Sequence, residues 1–436
     1  MSFRGKIWIL VISGVMATYA VVGSLPFVGG ILATQAQQPI NDAGAQIRIF
    51  ESVLQHIQND YVDEPNLEKA RMGALRGLAG GLDPYSSFLT SQQVRDYHAK
   101  KTNGKFGIGA EFSQVSAYLY TIAVTKGSPA EKGGLKAGDV IEYIDGKATR
   151  DISLYDARQL LLGDAGTVVK LRVLRSGEKP QTLDVTRGAY NIPQAESRIE
   201  PGKIGLVKVF SLEAGEAADI AQHLEDLKKQ GVQKVILDLR GVAAGSLDEA
   251  VAVANLFIGT GELAKVIGRE NKVNRSYTAD PGKHVFNGKV AVLIDLGTAG
   301  GAEVIASAIL DRKRGEVVGE RSFGAGTEQQ LFTLRGGDGL LLTTAKWASA
   351  NGNPFLGDDR ASMGVKPSVE VKRPETPEPI EVEEMIDRQD QQDREPQPAA
   401  SPTPKPETQK KPGEDIQLKK AIEILQDKSA TARAAS

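Results

Sequence analysis

Between Ile192 and Lys372 the chain alternates unbroken apolar runs with amphipathic helical stretches, and few architectures accept that order. KIGLVKVF, VQKVILDLR, KVAVLID and EVVGE are strand-like runs, and the apolar ones do not alternate with polar residues. That is the pattern of strands covered on both faces. Between them, AGEAADIAQHLEDLKKQG, LDEAVAVANLFI and AEVIASAILDRK carry apolar residues at helical spacing, and the first stops at Gly231. A largely parallel α/β sheet with helices on its faces satisfies this pattern. The whole chain has 436 residues and is 41% hydrophobic, which is enough for two or three domains with cores of their own.

The flanking regions read differently. Residues 41–103 are expected to be helical: IRIFESVLQHIQNDYV repeats apolar residues near helical spacing, Asn66-Leu67-Glu68 opens a second helix that ends at Gly80-Gly81, and Thr90 can cap a third. Residues 104–188 form a β-rich unit in which YLYTIAVT, DVIEYIDG, VVKLRVLR and TLDVTRG have period-two stretches, with a short helix over Tyr155–Leu162. Residues 189–372 are the α/β core. Residues 373–414 are rich in Pro, Glu, Gln and Asp, bury too little to order themselves, and read as a disordered linker. Residues 415–436 hold a short amphipathic helix, marginal unless it docks, with Leu418, Ile422 and Leu425 on one face. Residues 1–40 start with Arg4 and Lys6, followed by an uncharged run from Ile7 to Leu32. They read as a cleaved signal peptide or a retained anchor, placing the bulk of the chain outside the cytoplasm, in a periplasm or on the outer face of the inner membrane.

Composition narrows the chemistry. The 53 basic and 55 acidic residues balance to a net charge of −2, which argues against nucleic acid, or a membrane surface beyond the N-terminal segment, as partner. With no cysteine there is no disulfide and no thiol nucleophile. The four histidines (His56, His98, His223, His284) lack the spacing of a helical metal site, and nothing in the sequence asks for a metal or cofactor. The Gly-rich turn Gly297-Thr298-Ala299-Gly300-Gly301 is not a phosphate-binding fingerprint and reads as close helix–strand packing.

Three stretches resemble one family. Lys289–Gln329 (KVAVLIDLGTAGGAEVIASAILDRKRGEVVGERSFGAGTEQ) resembles the catalytic block of the carboxyl-terminal processing proteases, also called tail-specific proteases. GSPAEKGGLKAGDVIEYIDGKA resembles PDZ domains of bacterial proteases, and LDPYSSFL resembles the element that precedes the PDZ domain in that family. The family's fold implies N-terminal helices, a PDZ domain and an α/β protease core. Its catalytic block carries a Ser nucleophile and a Lys general base. Aligned on Glu303 and on Gly319-Glu320, the nucleophile position is Gly300 and the base position Ala325. Gln329 is retained. The family's oxyanion-supporting turn is replaced by Gly241-Val242-Ala243-Ala244-Gly245, leaving Gly245. Thr298, two residues upstream of Gly300, is misplaced for the nucleophile's role, and Ser322, Ser349 and Lys346 are the nearest remaining candidates for a relocated pair.

Neither Gly300 nor Ala325 can attack a carbonyl or take a proton, so the resemblance implies a pseudoenzyme. In the PDZ unit, Phe106, Gly107, Ile108 and Gly109 fall where such domains hold a terminal carboxylate, with Ala110 starting the strand that pairs with the peptide. The reading is a non-catalytic binder of protein C-termini, a scaffold or a regulator of an active protease relative. The alternative is an active serine-type endopeptidase with a relocated dyad.

Overall fold

A computed structural model describes residues 42–99, 106–359, 361–373 and 414–427. The expected signal peptide or anchor over residues 1–40 and nearly all of the expected Pro/Glu-rich linker lie outside the described residues. The chain divides into two compact units, residues 1–74 and 75–436. In the first, α1 (Ala43–Asp60) is capped by Asp42, whose carboxylate accepts from the N–H groups of Gly44 and Ala45. Its apolar residues Ile47, Phe50, Val53 and Leu54 are exposed. The helix α2 (Leu67–Gly80) opens under a second cap, Asn66 Oδ1 accepting the Lys69 N–H at 2.9 Å.

The second unit holds everything that positions the site. After a turn at Asp83 come β1 (Ser87–Leu89) and α3 (Ser91–His98), the latter opened by a capping box between Thr90 and Gln93. The PDZ unit follows: β2 (Ala110–Val115), β3 (Tyr118–Val124), α4 (Pro129–Lys132), β4 (Val140–Ile144), β5 (Lys147–Ala148), α5 (Leu154–Leu161), β6 (Val168–Leu174) and β7 (Gln181–Thr186). Its sheet order is β2-β3-β4-β6-β7, with β5 on β4, so β2 is an edge strand. Ile108, Phe112, Leu119, Ile141, Leu154, Ala157, Leu161 and Val173 form its core.

The α/β core runs β8 (Glu196–Glu200), β9 (Ile204–Lys208), α6 (Glu216–Lys229), β10 (Lys234–Asp238), α7 (Leu247–Phe257), β11 (Glu262–Ile267), β12 (Val273–Thr278), β13 (Lys289–Ile294), α8 (Gly301–Asp311), β14 (Gly315–Gly319), β15 (Thr327–Thr333), β16 (Gly339–Ser349) and β17 (Val369–Glu370). One sheet has the order β17-β14-β13-β10-β9-β8; it is parallel except for the edge strand β8. The continuous apolar runs of the sequence are its central strands, buried on both faces.

A second sheet, which strand–helix alternation does not announce, is antiparallel: β1-β16-β11-β12, with β15 on β16. It draws β1 from ahead of the PDZ unit, so the chain leaves the core, builds the PDZ unit and returns. The C-terminal helix α9 (Ile416–Gln426) docks on the parallel sheet, burying Ala421 and Leu425 against Ile204, Leu206, Ile236 and Leu293. Arg240 ties it down, donating to both oxygens of Asp415 at 2.9 and 2.8 Å.

Candidate functional site

The site lies beyond the C-terminal ends of β10, β13 and β14, where open α/β sheets place their ligands. Three loops meet there: the turns after β10 and β13, and the stretch after β14. Asp295 joins two of them, accepting from the N–H groups of Gly241 at 2.9 Å and Gly297 at 3.0 Å, while Arg373 donates to its other oxygen at 2.7 Å. Thr298 is fully buried. Its hydroxyl oxygen accepts the Asp295 N–H and lies 3.0 Å from the Leu239 carbonyl, so it braces the turn instead of facing a ligand.

Glu303 joins the loops after β13 and β14. It sits at the third position of α8 with no exposed surface. Oε2 accepts from the N–H groups of Gly300 and Ala325, each at 2.8 Å. Oε1 accepts from the Gly324 N–H at 2.8 Å and from the Ser322 hydroxyl. One carboxylate therefore fixes the backbone at both Gly300 and Ala325. Burial pushes its pKa up to about 7 against the opposing pull of these four donors.

Gly300 and Ala325 line one cavity of about 250 Å³, together with Ala243, Gly245, Thr327, Gln329 and Trp347 of the core and Glu111, Phe112 and Arg158 of the PDZ unit. Gln329 Nε2 donates to the hydroxyls of Thr327 at 2.6 Å and Thr343 at 3.3 Å. Gly245 is held by the neighbouring bonds Leu212 N–H to Ala244 O and Ser246 N–H to Leu212 O. Ser322 is buried between Glu303 and the Val365 N–H, and neither Ser349 nor Lys346 lines the cavity. Of the residues that line it, Thr327 and Tyr85 carry hydroxyls, and no Lys or His accompanies them. Among the described residues that line the cavity, no hydroxyl is hydrogen-bonded to a Lys, a His or a carboxylate.

The PDZ loop forms the second half of the site. Gly109 has φ +77°, and a Cβ there would lie 2.4 Å from the Ser128 Cβ and 2.8 Å from the Tyr190 ring, so a side chain is excluded by both backbone and space. Among the described residues the N–H groups of Gly107, Ile108 and Gly109 have no hydrogen-bond acceptor. Phe106 differs from expectation: its N–H donates to Gly163 O at 2.7 Å, which removes it from the nest and pins the loop to the end of α5. Behind that bridge lies the buried guanidinium of Arg187, donating to Leu160 O at 2.8 Å and Leu161 O at 3.1 Å. It caps α5 and brings positive charge to the loop. Ala110 begins the edge strand β2, and on the opposite side Arg158 of α5 donates to Phe112 O at 3.2 Å.

Sequence reasoning located Gly300, Ala325, Gln329, Gly245 and Gly107–Ala110. It did not assign Glu303, Arg158, Arg187 or Tyr85 a role, because their parts depend on contacts with residues well beyond their own elements.

Residues 203–371 match the model of peptidase family S41, and residues 121–175 match a PDZ domain. The chain is 28% identical over 363 residues to the carboxy-terminal processing protease CtpA of Bacillus subtilis, covering 83% of this chain and 77% of that one. It is 28% identical over 335 residues to the carboxy-terminal-processing protease of Bartonella bacilliformis, covering 76% of each. Among solved structures, the photosystem II D1 C-terminal processing protease superposes with a TM-score of 0.62 at 28% identity, over 74% of this chain and 86% of that one. The chain thus carries a PDZ unit ahead of a peptidase family S41 core and is similar over most of its length to carboxy-terminal processing proteases.

Proposed function

We propose that this protein engages protein C-termini through its PDZ unit and holds them over the core cavity without cleaving them, as a scaffold or as a regulator of an active protease relative. One observation carries the reading. Gly300 and Ala325 face a common cavity, fixed by Glu303, and neither offers a nucleophile or a base. The cavity is closed on one side by β2 and α5, so a peptide added to the β2 edge passes along its mouth. The loop N–H groups of Gly107, Ile108 and Gly109, with Arg187 behind them, suit a terminal carboxylate.

The basic residues and apolar run at the N-terminus support a place in the cell envelope, with this unit on the outer side of the inner membrane. Among the described residues no helix is long and apolar enough to cross a membrane.

The test is binding and cleavage measured together. Peptides with an apolar C-terminal residue should bind as free acids and lose affinity as amides, and mass spectrometry of an unstructured protein substrate should show no cleavage. Equal affinity for acid and amide refutes carboxylate capture. Turnover that survives removal of contaminating proteases refutes the non-catalytic reading and restores the relocated dyad.

A further inference from the structure

The turn that precedes β1 reaches into the PDZ groove. Asp83 pinches it, accepting from the N–H groups of Tyr85 at 2.8 Å and Ser86 at 2.9 Å and from the Ser86 hydroxyl at 2.8 Å. Strand β16 holds the same turn: the Thr343 N–H donates to Ser86 Oγ at 3.1 Å and the Thr343 hydroxyl to Asp83 at 3.0 Å, while Ser87 pairs with Leu341. On this rigid base Tyr85 projects toward the PDZ unit. Its ring packs against the PDZ core cluster that includes Ile108, Phe112, Ala157 and Leu161, and its polar end lies near Ser113 of β2 and Arg158 of α5. That is the slot between the edge strand and the helix, where a peptide would add as the next strand.

Tyr85 fills the slot imperfectly. Its hydroxyl is buried and, among the described residues, has no hydrogen-bond partner of good geometry. Burial also raises its pKa, so it stays a neutral phenol. A buried hydroxyl without a partner costs free energy that water would return to it. The carboxylate nest at Gly107–Gly109, a few residues along β2, receives nothing from this turn. A ligand that brought both an aromatic ring and a terminal carboxylate would satisfy more of the groove than Tyr85 does.

We propose that Tyr85 is an internal stand-in for the ligand, and that the groove takes protein C-termini carrying an aromatic side chain near the end, which enters where Tyr85 now lies. This deepens the binding function proposed above and rests on it. The turn is then exchanged for the ligand, and affinity is set by how well Tyr85 competes.

The test uses fluorescence anisotropy with the full chain and labelled ten-residue peptides ending in a free apolar residue. Each carries Tyr at the second, third or fourth place from its end, with an all-Ala version and amidated versions as controls. Tyr85→Ala empties the slot, and one of the Tyr peptides should then bind roughly tenfold tighter than to the wild type, the all-Ala peptide gaining less. Tyr85→Phe removes the unsatisfied hydroxyl and makes a better stand-in, so every acid peptide should bind roughly fivefold more weakly. Unchanged affinities in both variants, with the acid still preferred to the amide, overturn the stand-in and leave carboxylate capture standing. Loss of acid preference in the wild type and both variants overturns the capture, and the stand-in with it.

Discussion

Placing Ser at 300 and Lys at 325 tests whether the core still has the geometry of a dyad. A Cβ at Gly300 meets nothing closer than the Trp347 ring at 3.7 Å and Ala243 O at 3.9 Å, which is ordinary contact. The backbone is the obstacle: φ +57° and ψ −115° are held by the Gly300 N–H bond to Glu303, so a side chain there should cost about 1–3 kcal/mol. The Gly300→Ser single variant should show that loss in urea denaturation and cleave nothing, and Ala325→Lys alone should also be silent, since nucleophile and base act as a unit. In the double variant the cavity of about 250 Å³ has room for both side chains. Burial lowers the pKa of the new lysine and the Glu303 charge opposes that, so cleavage of an unstructured substrate should rise toward alkaline pH. The resemblance implies that only Gly245 of an oxyanion-supporting turn remains, and a missing donor costs roughly 100- to 1,000-fold in rate, so turnover should be detectable yet poor. A double variant that folds, still binds acid peptides and cleaves nothing at any pH would show that positions 300 and 325 do not face each other productively.

Glu303→Gln should destabilise the protein by about 1–3 kcal/mol in urea denaturation, because an amide can keep the Ser322, Gly300 and Ala325 bonds only by turning its NH2 toward the Gly324 N–H. The carboxyl's folded pKa of about 7 exceeds its unfolded value, so its contribution is fully present below about pH 4.5 and is lost as pH rises through 7, on the order of 3 kcal/mol; pH-dependent denaturation of Glu303→Gln should lack that component. Asp415→Ala removes the cap on Leu418 N–H and a partner of Arg240, and should cost about 1–3 kcal/mol and expose α9 to proteolysis ahead of global unfolding. Gly109→Val should abolish peptide binding in anisotropy, since its Cβ would meet Ser128 at 2.4 Å.

The parallel sheet was legible because strands buried on both faces must be continuously apolar, and β10 and β13 are. The antiparallel sheet was not: β11 and β12 are mixed in character, their register shifts at Val266/Ile267, and the sheet's edge strand β1 pairs with β16 across the whole PDZ unit and most of the core, Ser87 opposite Leu341. Capping residues such as Asn66 and Thr90 could be read because their bonds close within three residues. The docking of α9 could not, since Arg240 and Asp415 are 175 positions apart and only the folded sheet makes them neighbours.

The same distinction decides what the site reveals. A missing side chain is visible in a sequence: Gly300 and Ala325 lack a nucleophile and a base wherever they lie. A retained scaffold is visible only in three dimensions. Glu303 could pass for an ordinary acidic residue in the first turn of a helix, favoured there by the helix dipole. In the fold it accepts N–H groups from both sides of the cavity while burying a carboxylate with no cation among its bonding partners. That arrangement costs desolvation, and helix capping alone would need only the Gly300 bond. The additional bonds to Gly324 and Ala325 fix the loop after β14 against α8, and with it the wall of the cavity that β2 and α5 complete. These bonds keep the cavity's shape, which a bound peptide would use.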